Sequence, residues 1–222
     1  MKFTIITLFP EFVKTLDDYS IIGRAIKNKK ISVETINLRD FGLGSYKQVD
    51  DKPYGGDPGM LLRVDVAVSA IRHATRSNRS KSRKTVLLCP SGKKLNQKMV
   101  EDFARLDELV LFCGHYEGFD RRIEDYVDEK ISIGDYVLSG GEIPAMAIID
   151  AVSRQIPGVL QNPKSLHAES FSPIRNTQYN IRDTFYEAPQ YTRPAEFEGK
   201  KVPDVLASGD PKKIKKWQEN FQ

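Results

Sequence analysis

From residue 3 to residue 152 the chain alternates short, β-branched apolar runs with stretches whose apolar residues recur at helical spacing. The runs 3–8, 31–38, 85–89, 108–113 and 130–133 read as strands, because turn residues bound most of them and branched side chains suit a pleated surface. Between them, residues 64–74 carry Val64, Ala67, Val68 and Ile71 on one helical face, and residues 96–106 carry Met99, Val100, Phe103 and Leu106. Ser20 stands at a capping position ahead of Ile21, Ile22, Ala25 and Ile26, with lysines closing that stripe. Residues 142–153 are apolar around a wide arc, which predicts a well-buried helix with Pro144 tolerated in its first turn. Strand and helix in alternation fold as a mostly parallel α/β sheet covered on both faces, because parallel neighbours need a crossover between them.

The alternation ends near Val152. Six prolines follow between residues 156 and 203, and strand patterns vanish there. The organisation read from this is a first domain over 1–160, a linker over 161–178 and a small helical domain over 179–222. Residues 202–206 and 211–221 are its expected helices, the second opened by the capping pair Asp210-Pro211. Lys212, Lys213, Lys215 and Lys216 make that helix basic; they touch phosphate or face water.

Several classes fall away. Apolar residues are 40% and charged residues 29% of 222, the balance of a globular chain with a core of its own. No apolar run approaches the ~20 residues that span a bilayer, so no membrane partner is expected. The N-terminal stretch lacks a signal-peptide cleavage site, which makes the cytoplasm the expected compartment. Cys89 and Cys113 each end an apolar run, where a buried, reduced thiol is expected. The Rossmann and P-loop glycine patterns, C-x-x-C, H-E-x-x-H and G-x-S-x-G are all absent, and three scattered histidines propose no metal site. Charge is unevenly spread. Nine bases and no acid lie between Arg72 and Lys98, whereas 101–150 hold thirteen acids against four bases. That asymmetry points to a face meeting a polyanion.

The remaining signal is a set of glycine-bearing loops at strand ends: Cys89-Pro90-Ser91-Gly92, then Cys113-Gly114-His115-Tyr116-Glu117-Gly118, then the run from Ile133 to Glu142. In open α/β sheets ligands sit beyond the carboxyl ends of strands, and glycine lets the backbone approach a flat ligand closely. Together they predict a small-molecule pocket with Tyr116, Tyr136 and Leu138 as walls. A long glycine-rich loop over 50–60 is a further functional candidate.

The strings ITLFPE (6–11), DDKPYGGDPGM (50–60), CGHYEGFD (113–120), SIGDYVLSGGE (132–142), PAM (144–146), SRQIPGVL (153–160) and YTRP (191–194) occur in this order. On these strings, over nearly its whole length, the chain resembles the bacterial tRNA (guanine-N1)-methyltransferases of the TrmD family, in the SPOUT superfamily. The resemblance implies an α/β SPOUT fold with a deep trefoil knot, a small C-terminal helical domain and a homodimer whose active site draws on both subunits. It implies methyl transfer from S-adenosylmethionine to N1 of the guanosine immediately 3′ of the anticodon in tRNA. By the same resemblance, Pro90, Gly92, Gly114, Tyr116, Glu117, Ile133, Gly134, Asp135, Tyr136, Val137, Leu138, Gly140 and Gly141 hold the methyl donor.

Guanine N1 carries a proton at neutral pH, so a base must remove it and a donor must stabilise charge gathering on O6. The family uses an arginine before I-P-G-V-L, matched by Arg154, and an aspartate before Ser-Phe, where this chain has Glu169. Glu169 is thus the expected base and Arg154 the expected O6 partner, with Asp183 the alternative base. Tyr46 stands where the family often has histidine, Asp57 interrupts a usual glycine run, and residues 171–191 form a longer stretch than usual. Two other activities fit the loops or the charge: a SPOUT methyltransferase acting at another RNA position, and a non-catalytic RNA-binding module.

Overall fold

The computed structural model describes residues 1–18, 20–76, 82–162 and 188–219. They form two compact units, Met1–Gln161 and Asn162–Gln222. The first unit runs β1 (Lys2–Thr7), α1 (Pro10–Lys14), α2 (Ser20–Lys27), β2 (Ser32–Asn37), β3 (Asp50–Asp51), β4 (Leu61–Leu62), α3 (Val64–Thr75), β5 (Arg83–Lys94), α4 (Gln97–Phe103), β6 (Glu108–Cys113), β7 (Glu129–Ser132) and α5 (Glu142–Gln155). Five strands make a wholly parallel sheet in the order β2-β1-β6-β5-β7.

Alternation of side chains along each strand decides what covers each face. Leu109 and Leu111 of β6 join Phe3, Ile5, Val86 and Leu88 in a core roofed by α1, α2, α4 and α5. Val110 and Phe112, one residue out of step, join Ile6 and Leu87 under α3. Every residue of β6 is buried, as its unbroken apolar run predicts for a central parallel strand. Both cysteines are buried free thiols, and no helix among the described residues is long and apolar enough to cross a membrane.

Two local expectations change. First, β5 does not stop at Cys89. It continues through Pro90, Ser91 and Gly92 to Lys94, and its register against β7 breaks so that Leu88 and Lys93 both pair with Ile131. Gly92 makes this possible: a β-carbon there would lie 2.5 Å from the Ile131 backbone. Second, Ser20 opens α2 in the left-handed region, at φ 57°, instead of preceding it as an extended cap. Asn96 does cap α4, accepting from the Met99 N–H at 3.0 Å. The basic and acidic stretches meet in ion pairs: Lys84 with Glu129 and Arg83 with Glu108 across neighbouring strands, Lys94 with Asp135 in the loop after β7, and Lys98 with Asp102 within α4. Glu108 itself is buried, accepting from Thr4 Oγ1 at 2.9 Å with Lys2 Nζ 3.2 Å away.

In the second unit, β8 (Glu196–Phe197) and β9 (Lys200–Lys201) form a small antiparallel hairpin that the sequence patterns do not predict. Its turn residues Glu198 and Gly199 both have positive φ, 49° and 77°, the conformation that tight hairpins require. Then come α6 (Asp204–Ala207) and α7 (Pro211–Glu219). Asp210 Oδ1 accepts from the Lys212 and Lys213 N–H groups, as the Asp210-Pro211 pair predicts. Lys212, Lys213, Lys215 and Lys216 are exposed, and Tyr191 packs against Trp217.

Candidate functional site

A solvent-open concavity of about 190 Å³ lies beyond the carboxyl ends of β5, β6 and β7. Three segments build it: Leu88–Pro90 within β5, residues 114–119 after β6, and residues 131–141 leading to Pro144 in α5. The loops are bound to one another through their backbones. Gly141 N–H donates to Gly114 O at 2.8 Å, and His115 pairs with Gly140 in an isolated antiparallel bridge. Ser132 Oγ both donates to Gly134 O and accepts from its N–H, closing the turn after β7.

Glycine is required where these segments meet. A β-carbon on Gly141 would stand 2.6 Å from Cys113 Cα and 2.9 Å from Gly114 N, both backbone atoms. Gly141 has φ −81°, so the constraint is close approach and not dihedral freedom. Gly141→Ala therefore pushes two loops apart at the floor of the site. The expected cost is about 1–3 kcal/mol, read as a Tm drop of roughly 3–10 °C for a chain of this size. A melt unchanged by the substitution contradicts this packing.

The concavity gathers eleven of the thirteen residues expected to hold a ligand: Pro90, Gly114, Tyr116, Glu117, Ile133, Gly134, Tyr136, Val137, Leu138, Gly140 and Gly141. It does not include Gly92 or Asp135. Gly92 is consumed by the approach of β5 to β7, and Asp135 turns outward to an ion pair with Lys94. Arg154 lies in the last turn of α5, twelve residues beyond Glu142, or about 18 Å along the helix axis. It therefore does not reach the concavity of its own chain. Glu169 lies outside the described residues, as does Asp183.

The lining is apolar at Leu88, Ile131, Ile133, Leu138 and Pro144, and its described residues include neither lysine nor arginine. Its charged side chain is the Glu117 carboxylate. Such a site suits a nucleoside with a positive centre better than one bearing phosphate, which seeks cations or amide-rich helix ends.

The long glycine-rich loop is sewn to the same wall. Glu117 N–H donates to Met60 O at 3.2 Å, Leu62 N–H to Gly118 O at 3.0 Å and Asp120 N–H to Leu62 O at 3.0 Å. Gly59, at φ 94°, leaves the space that the Glu117 side chain fills. At the loop's base Arg63 bridges Asp51 (2.6 Å) and Asp65 (2.8 Å), which holds the Asp65 carboxyl below its ordinary pKa. Its tip presents Tyr54 fully to solvent.

Three residues, His115 in the lining and Thr7 and Glu142 beside it, are not singled out by the sequence patterns. Thr7 Oγ1 donates to Glu142 Oε1 at 2.7 Å, and Glu142 is only 4% exposed. The one signal for it is an acid directly after Gly-Gly at the head of a helix apolar around most of its circumference.

Comparison with known proteins agrees over the whole length. A family model described as tRNA (Guanine-1)-methyltransferase TrmD matches residues 1–222. The tRNA (guanine-N(1)-)-methyltransferase of Ruminiclostridium cellulolyticum is 46% identical over 219 residues, 98% of this chain and 89% of that protein. Its counterpart in Malacoplasma penetrans is 46% identical over 222 residues, all of this chain and 92% of that protein. The one from Shewanella sediminis is 45% identical over 219 residues, 98% of this chain and 86% of that protein.

Proposed function

The chain belongs to the TrmD family of tRNA (guanine-1)-methyltransferases and is an enzyme of that type; we propose that it methylates N1 of the guanosine immediately 3′ of the anticodon, using S-adenosylmethionine. The observation carrying the donor assignment is the backbone-built concavity at the ends of β5, β6 and β7, with apolar walls, one carboxylate and no lining cation among the described residues. When bound, S-adenosylmethionine supplies a methyl group already activated on a sulfonium. The protein's task is to hold and to orient. Gly114, Gly134, Gly140 and Gly141 would offer main-chain groups to the nucleoside, Leu138 and Ile133 would supply apolar wall, and Tyr116 and Tyr136 stand partly exposed among the lining. Holding both reactants in line removes the entropic part of the barrier. A deep trefoil knot of the SPOUT type belongs to the same proposal. The return of Gly140 and Gly141 against Cys113 and His115 supports it.

Glu169 takes the N1 proton, and Arg154 stabilises charge on O6. Because Arg154 does not line the concavity and stands ten residues, about 15 Å, along α5 from Pro144 in its wall, the arginine that completes each site comes from a second copy of the chain. The proposed enzyme is a homodimer. The exposed apolar side chains Phe9, Phe12, Val137 and Ile143, set around the concavity and the head of α5, support an interface there. The linker and the small domain with the exposed lysines of α7 meet the tRNA, and the enzyme works in the cytoplasm with its substrate.

Titration calorimetry with S-adenosylmethionine and methylation of tRNA transcripts carrying guanosine or adenosine at the target test this reading. It predicts donor binding and guanosine-only methylation. Donor binding with label at another position indicates a different RNA target, and RNA binding without donor binding indicates a non-catalytic module. Affinity for tRNA falls steeply as salt rises from 50 to 200 mM, since each phosphate contact releases counterions and several contacts cost about 10³-fold or more over that range. An affinity flat across the series contradicts a phosphate-tracking surface.

A further inference from the structure

Glu142 is a carboxylate buried at the head of α5, beside the concavity and in no ion pair among the described residues. The role inferred for it rests on that concavity being the donor pocket. A carboxylate taken from water must be compensated by hydrogen bonds or field. Two compensations are visible. Thr7 at the end of β1 donates to Oε1, and its hydroxyl proton is committed there because Thr7 Oγ1 accepts from the Phe9 N–H at 2.9 Å. The amino-terminal end of the 14-residue α5 favours negative charge at its first residue. On β6, the Cys113 thiol is pushed well up in pKa by burial and then by this same carboxylate, so it stays protonated.

The second oxygen, Oε2, crowds the point where a β-carbon on Gly140 would stand, and His115 Nδ1 crowds the same point. The imidazole is wedged edge-on between Phe9 and Tyr116, with centroids 5.1 and 5.0 Å away, and Nδ1 is buried without a hydrogen-bond partner. A ring nitrogen lacking a partner and a carboxylate oxygen thus flank one small volume, which only a glycine at 140 leaves clear.

We infer that Glu142 is a positioning residue for the donor site, its carboxylate accepting from the Nδ1–H of His115 once the concavity is filled. That bond ties the 114–119 loop to the Gly140-Gly141 turn, while Thr7 ties both to β1. Tyr116 and Glu117 follow His115 directly, so the tie sets where those two lining residues stand. Neither Glu142 nor Thr7 touches the reacting atoms.

The test is a double-mutant cycle read by calorimetry with S-adenosylmethionine on the full chain. Glu142→Gln keeps shape and can still accept from Thr7; His115→Phe keeps the ring packing and removes Nδ1. Each is expected to weaken donor binding about tenfold (1.4 kcal/mol) with little change in Tm, and the double variant to lose no more than either alone. In wild type with donor bound, imidazole ¹⁵N shifts are expected to show the Nδ1–H tautomer of His115, lost in Glu142→Gln. If wild type binds donor and His115→Phe binds it equally well, or the two losses simply add, the positioning role is refuted while the donor site stands. If wild type binds no donor, the donor site itself fails and this role with it. His115→Phe keeps the experiment decisive should Glu142→Gln not fold.

Discussion

Arg154→Ala lowers turnover on tRNA by roughly 10²–10³-fold, the scale for losing one donor that stabilises a developing oxyanion. Affinity for S-adenosylmethionine stays within about threefold, because Arg154 is remote from the concavity of its own chain (about 18 Å along α5 from Glu142). The separation of the two readouts matters. A fold defect would move both, and loss of a donor contact would move binding first. Mixing the inactive Arg154→Ala chain with a second chain disabled in the donor loops adds a sharper result. If each site takes its arginine from the other subunit, the mixed dimer regains one working site and activity returns. Wild-type turnover by Arg154→Ala removes the residue from the chemistry, and no recovery on mixing removes the shared site.

Glu169→Gln loses about 10²–10⁴-fold in turnover, the range for a positioned general base, while donor affinity is unchanged. The substitution is nearly isosteric, so the loss reports the missing proton acceptor and not a cavity. Glutamate has an intrinsic acidity close to aspartate's and one more methylene, so the chemistry survives the family's change of residue if the longer arm reaches the same proton. Unaltered turnover in Glu169→Gln moves the base to Asp183.

How much of the molecule is legible in its sequence depends on where single residues decide the outcome. The central strand β6 can be read because the five consecutive apolar residues Leu109–Cys113 suit a strand covered on both faces. The glycine loops can be read because three of them end neighbouring strands. The extension of β5 cannot, since Pro90 and Gly92 carry turn chemistry, and only the backbone of Ile131 reveals why a strand continues there. Which charges pair is a topological matter that the sequence does not display: β5 lies between β6 and β7, which bring Glu108 and Glu129 beside Arg83 and Lys84. Glu142 is hidden because an isolated acid at a helix start reads as a solvated cap, and its burial depends on Thr7, 135 positions away. Arg154 lies one residue past the helix expected over 142–153 and inside the observed one, which runs to Gln155; its distance from the pocket is a property of helix length that a motif does not display.

The central claim is that a nucleoside donor held in the concavity methylates one ring nitrogen of one purine in tRNA. Incubating purified enzyme and S-adenosylmethionine with total tRNA from cells lacking the activity, then mapping the modified nucleotide by mass spectrometry, tests it most directly. The account predicts N1-methylguanosine immediately 3′ of the anticodon and no other new methylated nucleotide. Methyl groups on ribose, on adenosine or at another guanosine, or none at all, would contradict it.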